Sequence, residues 1–77
     1  MSRWSPCKRS DFIRRLHRLG FQGPFTGGKH HFLVLRQARL AIPSNEEYSV
    51  PQLKMMIREV GLLLGRTISQ QDWNSLV

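Results

Sequence analysis

The chain has 77 residues, and a chain of this length buries only about 60% of its unfolded surface, so we expect residues 1–77 to form one domain around one core. Twelve Lys and Arg against five Asp and Glu give a formal net charge of +7, which favours a polyanionic partner such as nucleic acid or anionic lipid. Cys7 is the single cysteine, which excludes an internal disulfide and a zinc site made of several thiolates.

The first predicted element is a helix with one apolar face. Its apolar positions follow i, i+1, i+4, i+7 spacing: Phe12, Ile13, Leu16 and Leu19. Gly20 supplies a left-handed residue that ends the helix. The helix begins either at Ser10, as an N-cap followed by Asp11, or earlier at Ser5-Pro6.

Three arginines of this helix, Arg14, Arg15 and Arg18, are predicted to project to solvent opposite the apolar face. Arginine matches the geometry of a phosphate better than lysine does, and nine of the twelve cations are arginine. The stripe is therefore either a solvated surface or a contact for nucleic-acid phosphates.

Three strands are predicted next. Phe21–Phe25 is the first, and it belongs at a sheet edge because Gly23-Pro24 interrupts it. His30–Arg36 is the second, Gln37-Ala38 turns the chain, and Arg39–Pro43 is the third. The second strand is apolar on both faces. One face is expected to pack on the helices, and the other to meet a protein partner or a second copy of the chain.

The remainder is predicted as a polar loop, Ser44–Tyr48, and two helices. A capping box of Ser49 and Gln52 begins the first of these, and Gly61 ends it. Its apolar positions keep helical spacing: Leu53, Met56, Ile57 and Val60. Ser69 caps a last short helix, with Ile68 and Trp73 as a hydrophobic staple. The order predicts an α+β fold, α-β-β-β-α with a short C-terminal helix, in which helices cover one face of a three-stranded antiparallel sheet.

The segment Gly27-Gly28-Lys29-His30-His31 carries the clearest chemical signal. Glycines make a flexible turn, so the imidazole that follows is fixed by the strand on one side and solvated on the other. Histidine exchanges protons near neutral pH and Lys29 adds a fixed positive charge, a pairing suited to a phosphodiester. Because side chains alternate along a strand, His31 is expected to point away from His30 and to be a structural or interface residue.

We expect no metal or cofactor. His17, beside the arginine stripe, is expected to be a solvated surface group. The spacing of the three histidines is not that of a metal-ligand set.

Several segments, in order, resemble the HicA family of toxins, which are small ribonucleases of toxin–antitoxin pairs. These segments are Phe12–Leu16 with Leu19–Phe21, Gly27–His30, Arg39–Pro43, Leu53–Gly61 and the tail Ile68–Trp73. The recognisable core covers about residues 8–76. Two stretches depart from the family: Ser44–Glu47 stands where members commonly carry another histidine, and Leu62–Arg66 resembles a small insertion.

The resemblance implies a fold like that of double-stranded-RNA-binding domains and the activity of an mRNA interferase, a metal-independent endoribonuclease. His30 would be the catalytic residue, and a HicB-like antitoxin would neutralise the toxin by covering His30 and the exposed strand face. The imidazole could take a proton from a ribose 2′-hydroxyl. Cations would bind RNA and stabilise charge on the phosphate, and the candidates are Lys29, Arg14, Arg15, Arg18, Arg36 and Arg39.

Two other classes stay open. One is a non-catalytic RNA-binding module, which needs no general base and which the missing second histidine favours. The other is a protein-interaction partner that uses the apolar strand face, alone or with a second copy of itself. Both predict that binding survives His30→Ala.

We expect a cytoplasmic protein with no membrane partner. The N-terminal ten residues lack the apolar stretch of a secretory signal. The longest apolar run, residues 60–64, is too short to cross a bilayer.

Overall fold

The computed structural model describes residues 4–76, so residues 1–3 and 77 of the predicted domain lie outside the described part. The elements are β1 (Cys7–Lys8), α1 (Arg9–Arg18), β2 (Gln22–Gly27), β3 (His30–Leu35), β4 (Ala38–Ile42), β5 (Glu47–Tyr48), α2 (Val50–Leu64) and α3 (Gln70–Asn74). Strands β2, β3 and β4 form an antiparallel sheet in that order, and β1 pairs with β5 in a second, two-stranded sheet. The predicted α+β class and its three-stranded antiparallel sheet are confirmed.

The core lies between one face of the three-stranded sheet and the helices. Its buried side chains come from the two longer helices and the sheet: Phe12 and Leu16 of α1, Leu33, Leu40 and Ile42 of the sheet, and Leu53, Ile57 and Val60 of α2. Aromatic rings join the parts that are distant in sequence. The Phe12 ring meets Tyr48 edge-on and Trp73 at a tilt, each with 5.5 Å between ring centroids.

Helix α1 begins two residues earlier than a Ser10 cap predicts and later than a start at Ser5-Pro6. Lys8 is the N-cap and Ser10 lies within the first turn, so the prediction of a Ser10 cap is wrong. Part of the predicted Ser44–Tyr48 loop is instead strand β5, which pairs with β1 directly before the helix. Next to this pair, the Arg9 N–H donates to the Glu46 carbonyl at 2.8 Å. Gly20 has a φ of 103°, the left-handed conformation expected after the helix.

The sheet has the predicted order, with shifted boundaries. Strand β2 is an edge strand, as predicted, and its pairing with β3 slips between Gln22 and Phe25, around a cis Gly23-Pro24 peptide bond. The β3–β4 turn is Arg36-Gln37 rather than Gln37-Ala38, because Leu35 pairs with Ala38. Arg36 was predicted to end the strand, and instead it takes the left-handed φ of 58° that tight hairpin turns require.

Helix α2 begins at the predicted Ser49 cap and ends later than predicted. The Ser49 hydroxyl accepts a hydrogen bond from the Gln52 N–H at 3.4 Å, which is one half of the predicted capping box. The predicted end at Gly61 is wrong, because the helix continues to Leu64 and ends at Gly65, whose φ is 78°. Gly61 is buried, and a Cβ there would lie 2.5 Å from the Arg66 carbonyl oxygen. This glycine therefore marks a close approach of two backbones, and residues 62–65 form the last helical turn and its cap.

The C-terminal helix α3 has the predicted start. Ser69 and Asp72 form a reciprocal capping box, in which the Ser69 N–H donates to Asp72 Oδ2 at 3.1 Å and the Asp72 N–H donates to Ser69 Oγ at 3.0 Å. Ile68 and Trp73, the predicted staple, are both buried. Among residues 4–76, no helix combines the length and apolar character needed to span a membrane.

Candidate functional site

A tight glycine turn positions His30. Gly27 pairs with His30 across the β2–β3 hairpin, which leaves Gly28 and Lys29 as the two loop residues. Gly28 has a φ of 64°, a conformation that glycine adopts without strain and other residues rarely adopt. Lys29 and His30 are both exposed. The imidazole thus stands at the first position of a strand, beside a cation, as the sequence predicted.

The register of the sheet places His30 and His31 on opposite faces. Leu33 is fully buried against the helices, so residues that alternate with it lie on the opposite side of β3. We call this side the outer face, and its residues are Phe25, His30, Phe32, Val34, Arg39 and Ala41. His31 shares the helix side with Leu33. The predicted separation of the two histidines is confirmed.

Two phenylalanines lie together on the outer face. Phe25 on β2 pairs with Phe32 on β3, and their ring centroids are 5.8 Å apart at an interplanar angle of 39°. The side chain of Phe25 is 44% exposed. A Cβ at Gly27 would lie 2.8 Å from the Phe32 ring. Glycine at this position therefore leaves the space over β2 that the ring occupies. Sequence reasoning missed the pair, because it depends on a register that slips at Gly23-Pro24.

The Arg39 guanidinium lies 4.9 Å from the centroid of the Phe32 ring, within the range of a cation–π contact. Arg39 is exposed, as are Arg36 in the β3–β4 turn and Lys29 in the β2–β3 turn. Arg39 is the one of these cations that shares the outer face with His30, by strand alternation.

The other two imidazoles are held by hydrogen bonds. Arg9 Nη2 donates to His31 Nδ1 at 3.0 Å, because a guanidinium has no lone pair to offer. His17 Nε2 donates to the Gly23 carbonyl at 2.6 Å, so His17 is exposed yet anchored to the bulge of β2. Both rings therefore have structural roles, in contacts with Arg9 and with the Gly23 carbonyl.

The predicted arginine stripe of α1 is only partly present. Arg14 forms an ion pair with Asp11 at 2.9 Å. Arg15 was expected to face solvent, and this expectation is wrong: it is half-buried, donates to the Trp73 carbonyl at 2.8 Å and stacks on the Trp73 ring. Arg18 is exposed. Arg15 therefore joins α1 to α3, which packs against the side of α1.

The acidic residues are segregated from the turn and the outer face. The chain between Asp11 and Glu46 contains six Lys and Arg and no Asp or Glu. This stretch supplies most of α1 and the whole three-stranded sheet. The side of the molecule that carries His30 therefore attracts anions.

A hollow of about 680 Å³ lies beside His31. Arg9, Ser10 and His31 line one part of it, and Glu46 and Glu47 line another. Lys8 also lines the hollow, so its two cations are offset by two carboxylates, whereas the outer face carries a cation and no carboxylate.

Cys7 offers no nucleophile. Burial raises the pKa of its thiol, so the sulfur stays protonated at neutral pH and reacts weakly. Within residues 4–76, no three His, Cys, Asp or Glu side chains converge as a metal site would require.

The structure therefore places an exposed imidazole, two aromatic rings and an arginine on one face of the three-stranded sheet, with a lysine in the turn beside the imidazole. An imidazole and a cation in this arrangement can move a proton and stabilise negative charge on a phosphate. Comparison of the chain with protein-family models, with curated proteins and with solved structures found no match.

Proposed function

We propose that the protein is a HicA-like toxin, a cytoplasmic endoribonuclease that cleaves mRNA without a metal ion and is neutralised by a HicB-like antitoxin. The observation that carries the proposal is the exposed imidazole of His30, at the mouth of a two-residue glycine–lysine turn, on a sheet face that bears no acidic residue. The other two imidazoles are engaged by Gly23 and Arg9.

His30 acts on the ribose beside the scissile phosphate. A ring nitrogen takes the proton of the 2′-hydroxyl, the 2′-oxygen bonds to phosphorus, and the bond from phosphorus to the 5′-oxygen breaks. The imidazolium then returns the proton to the departing 5′-oxygen. The products are a 2′,3′-cyclic phosphate and a 5′-hydroxyl, and DNA is inert because it lacks the nucleophile.

Lys29 stabilises the charge that builds on the phosphate oxygens during the attack, because it precedes His30 directly. Arg39 lies on the same sheet face opposite Val34, four residues along β3 from His30, and binds a neighbouring phosphate of the same strand. Such electrostatic stabilisation is usually the largest single contribution to catalysis of this kind. It also takes the place that a metal ion holds in other nucleases.

The test compares His30→Gln with His31→Gln in purified protein. Both substitutions remove one imidazole from neighbouring, exposed positions of one strand, and glutamine at position 31 keeps an acceptor for the Arg9 guanidinium. With end-labelled RNA and a chelator present, we expect His30→Gln to slow cleavage at least about 100-fold, as for loss of a general base, and His31→Gln to keep cleaving. Equal cleavage by wild type and His30→Gln would contradict the assignment of His30.

A non-catalytic RNA-binding module is the second candidate. Ser44, Asn45, Glu46 and Glu47 occupy the stretch where HicA members commonly carry a second histidine, which favours it. Wild-type protein that binds labelled RNA and leaves it intact would select this candidate. Expression of wild type and His30→Ala without any partner separates the two in cells, because only a nuclease makes the cultures differ in growth and RNA integrity.

The antitoxin is proposed to cover His30 and the outer face together. A partner seated there excludes RNA from the imidazole and buries the exposed Phe25 ring. A small open reading frame next to this one, whose product abolishes RNA cleavage when mixed with the purified protein, is the expected finding.

A further inference from the structure

We infer that the outer face is a stacking platform for unpaired bases of single-stranded RNA, with Phe25 and Phe32 as the rings on which successive bases lie. The inference rests on the proposed function for the choice of RNA as the polymer. It adds what that proposal leaves open, namely how the substrate strand is held before His30 acts on it.

The first support is the exposure of Phe25, which lies beside the half-buried Phe32. Phe25 is 44% exposed, whereas the apolar side chains that form the core, such as Leu33 and Leu40, lie on the opposite side of the sheet. Val34 and Ala41, which share the outer face, have short side chains, so the rings stand above a shallow surface. Phenylalanine rings on a sheet are rigid and offer flat faces at a small entropic cost. A flat aromatic face accepts any base, because every base has a π-face.

The second support is that the rings are held in position. Phe32 lies where a Cβ of Gly27 would be 2.8 Å from it, and Arg39 contacts its ring at 4.9 Å. Phe25 contacts Phe32 at 5.8 Å between centroids. The three side chains therefore form one row across β2, β3 and β4, ordered before any ligand binds.

The third support is charge. Between Asp11 and Glu46 the chain has six cations and no carboxylate, and this stretch includes every residue of the outer face. A nucleic-acid strand whose bases lie on the rings brings its phosphates to Arg39 and Lys29, which lie at two ends of this surface. The aromatic row and the cations together match a polyanion that carries flat apolar groups.

The geometry favours a single strand over a duplex. Bases in a duplex are stacked on each other and present only their edges, so a ring on a sheet cannot reach their faces. His30 lies two residues from Phe32 on the same face of β3, about 7 Å along the strand. A nucleotide whose base lies on Phe32 therefore has its ribose within reach of the imidazole.

The experiment measures fluorescence anisotropy of a labelled, 2′-O-methylated single-stranded RNA, which cannot be cleaved. The variants are Phe25→Leu and Phe32→Leu, which keep an apolar side chain and remove the ring. We expect each to weaken binding about tenfold, within the range of one lost base–aromatic stack. An abasic strand of the same length should bind wild type and variants alike, because it keeps the phosphates and lacks the bases.

Matched controls separate stacking from general effects. Leu62→Ala removes an apolar side chain that is 75% exposed on α2, away from the sheet, and should leave the affinity unchanged. Arg39→Gln and Arg58→Gln each remove one exposed cation, and only Arg39 contacts the platform. We expect Arg39→Gln to lower the salt slope of binding by about 0.7 and Arg58→Gln to leave it unchanged.

Unchanged affinity in both phenylalanine variants would overturn the inference, and so would an equal loss on the abasic strand. A change in self-association, measured by sedimentation, with no change in RNA binding would assign the face to a second copy of the chain and would also overturn it. Should Phe32→Leu misfold by far-UV circular dichroism, the more exposed Phe25→Leu decides the outcome. Failure of the proposed nuclease is distinguishable, because it appears as intact RNA with normal, ring-dependent binding.

Discussion

The substitution Gly61→Ala tests the close approach of helix α2 and the segment that follows it. In an isolated helix this change is favourable by about 1 kcal/mol, since alanine is the better helix former. In the folded protein the new Cβ would lie 2.5 Å from the carbonyl oxygen of Arg66, a backbone atom that no side-chain rotation can move away. The two effects oppose each other, so their magnitudes decide the sign.

The steric effect is the larger of the two. Relief of the overlap requires the backbone at Arg66 to move, although the Arg66 N–H donates to the Gly61 carbonyl at 3.0 Å and ends the helix there. Overpacking of this kind costs about 1–3 kcal/mol, and weakening of the hydrogen bond adds about 1 kcal/mol. After subtraction of the helix preference, we expect a net loss of about 2 kcal/mol. For a domain of this size that lowers the midpoint of thermal unfolding by roughly 8–16 °C.

Thermal and urea unfolding followed by circular dichroism measure the effect, with Gly65→Ala as the matched control. Gly65 has open space around its Cβ position and a φ of 78°, so alanine there costs about 1 kcal/mol through backbone strain alone. Gly61→Ala should be the more destabilised of the two. A Gly61→Ala protein as stable as wild type, or more stable, would refute the reasoning.

Three further results are expected. Tyr48→Phe removes the hydrogen bond from the buried Tyr48 hydroxyl to the Pro43 carbonyl, 2.7 Å long, and should lower the free energy of unfolding by about 1 kcal/mol, which the urea midpoint reports; an unchanged midpoint would contradict it. Hydrogen bonds from the Ser69 backbone and hydroxyl lower the pKa of Asp72, so the carboxylate stabilises the fold at neutral pH and this contribution is lost as the pH falls through the folded pKa. Asp72→Asn should therefore melt below wild type at neutral pH, with the difference closing in strong acid; a difference that persists in acid would point to another cause. RNA cleavage by wild type should be insensitive to a chelator, as measured by gel analysis of labelled RNA, and loss of cleavage on metal removal would argue against the imidazole mechanism.

Local patterns in the sequence predicted much of the architecture. The apolar spacing of α1 and α2, the Ser69 cap and the hairpin around Gly28 each depend on residues within a few positions of one another, and all are present in the structure. The opposite placement of His30 and His31 also follows from the sequence alone, because alternation along a strand is a property of the extended backbone. The position of the candidate catalytic imidazole, at a strand start beside a lysine, was therefore predictable from the sequence.

Only the tertiary structure decided the features that join distant segments. Arg15 binds the Trp73 carbonyl 58 residues away, β1 pairs with β5 across α1 and the sheet, and Gly61 faces Arg66 rather than ending its helix. The aromatic pair of Phe25 and Phe32 depends on a strand register that slips at Gly23-Pro24. Local propensity fixes the conformation of a short segment, whereas these contacts depend on how whole segments pack against one another, and packing is decided by the sum of many weak interactions across the core.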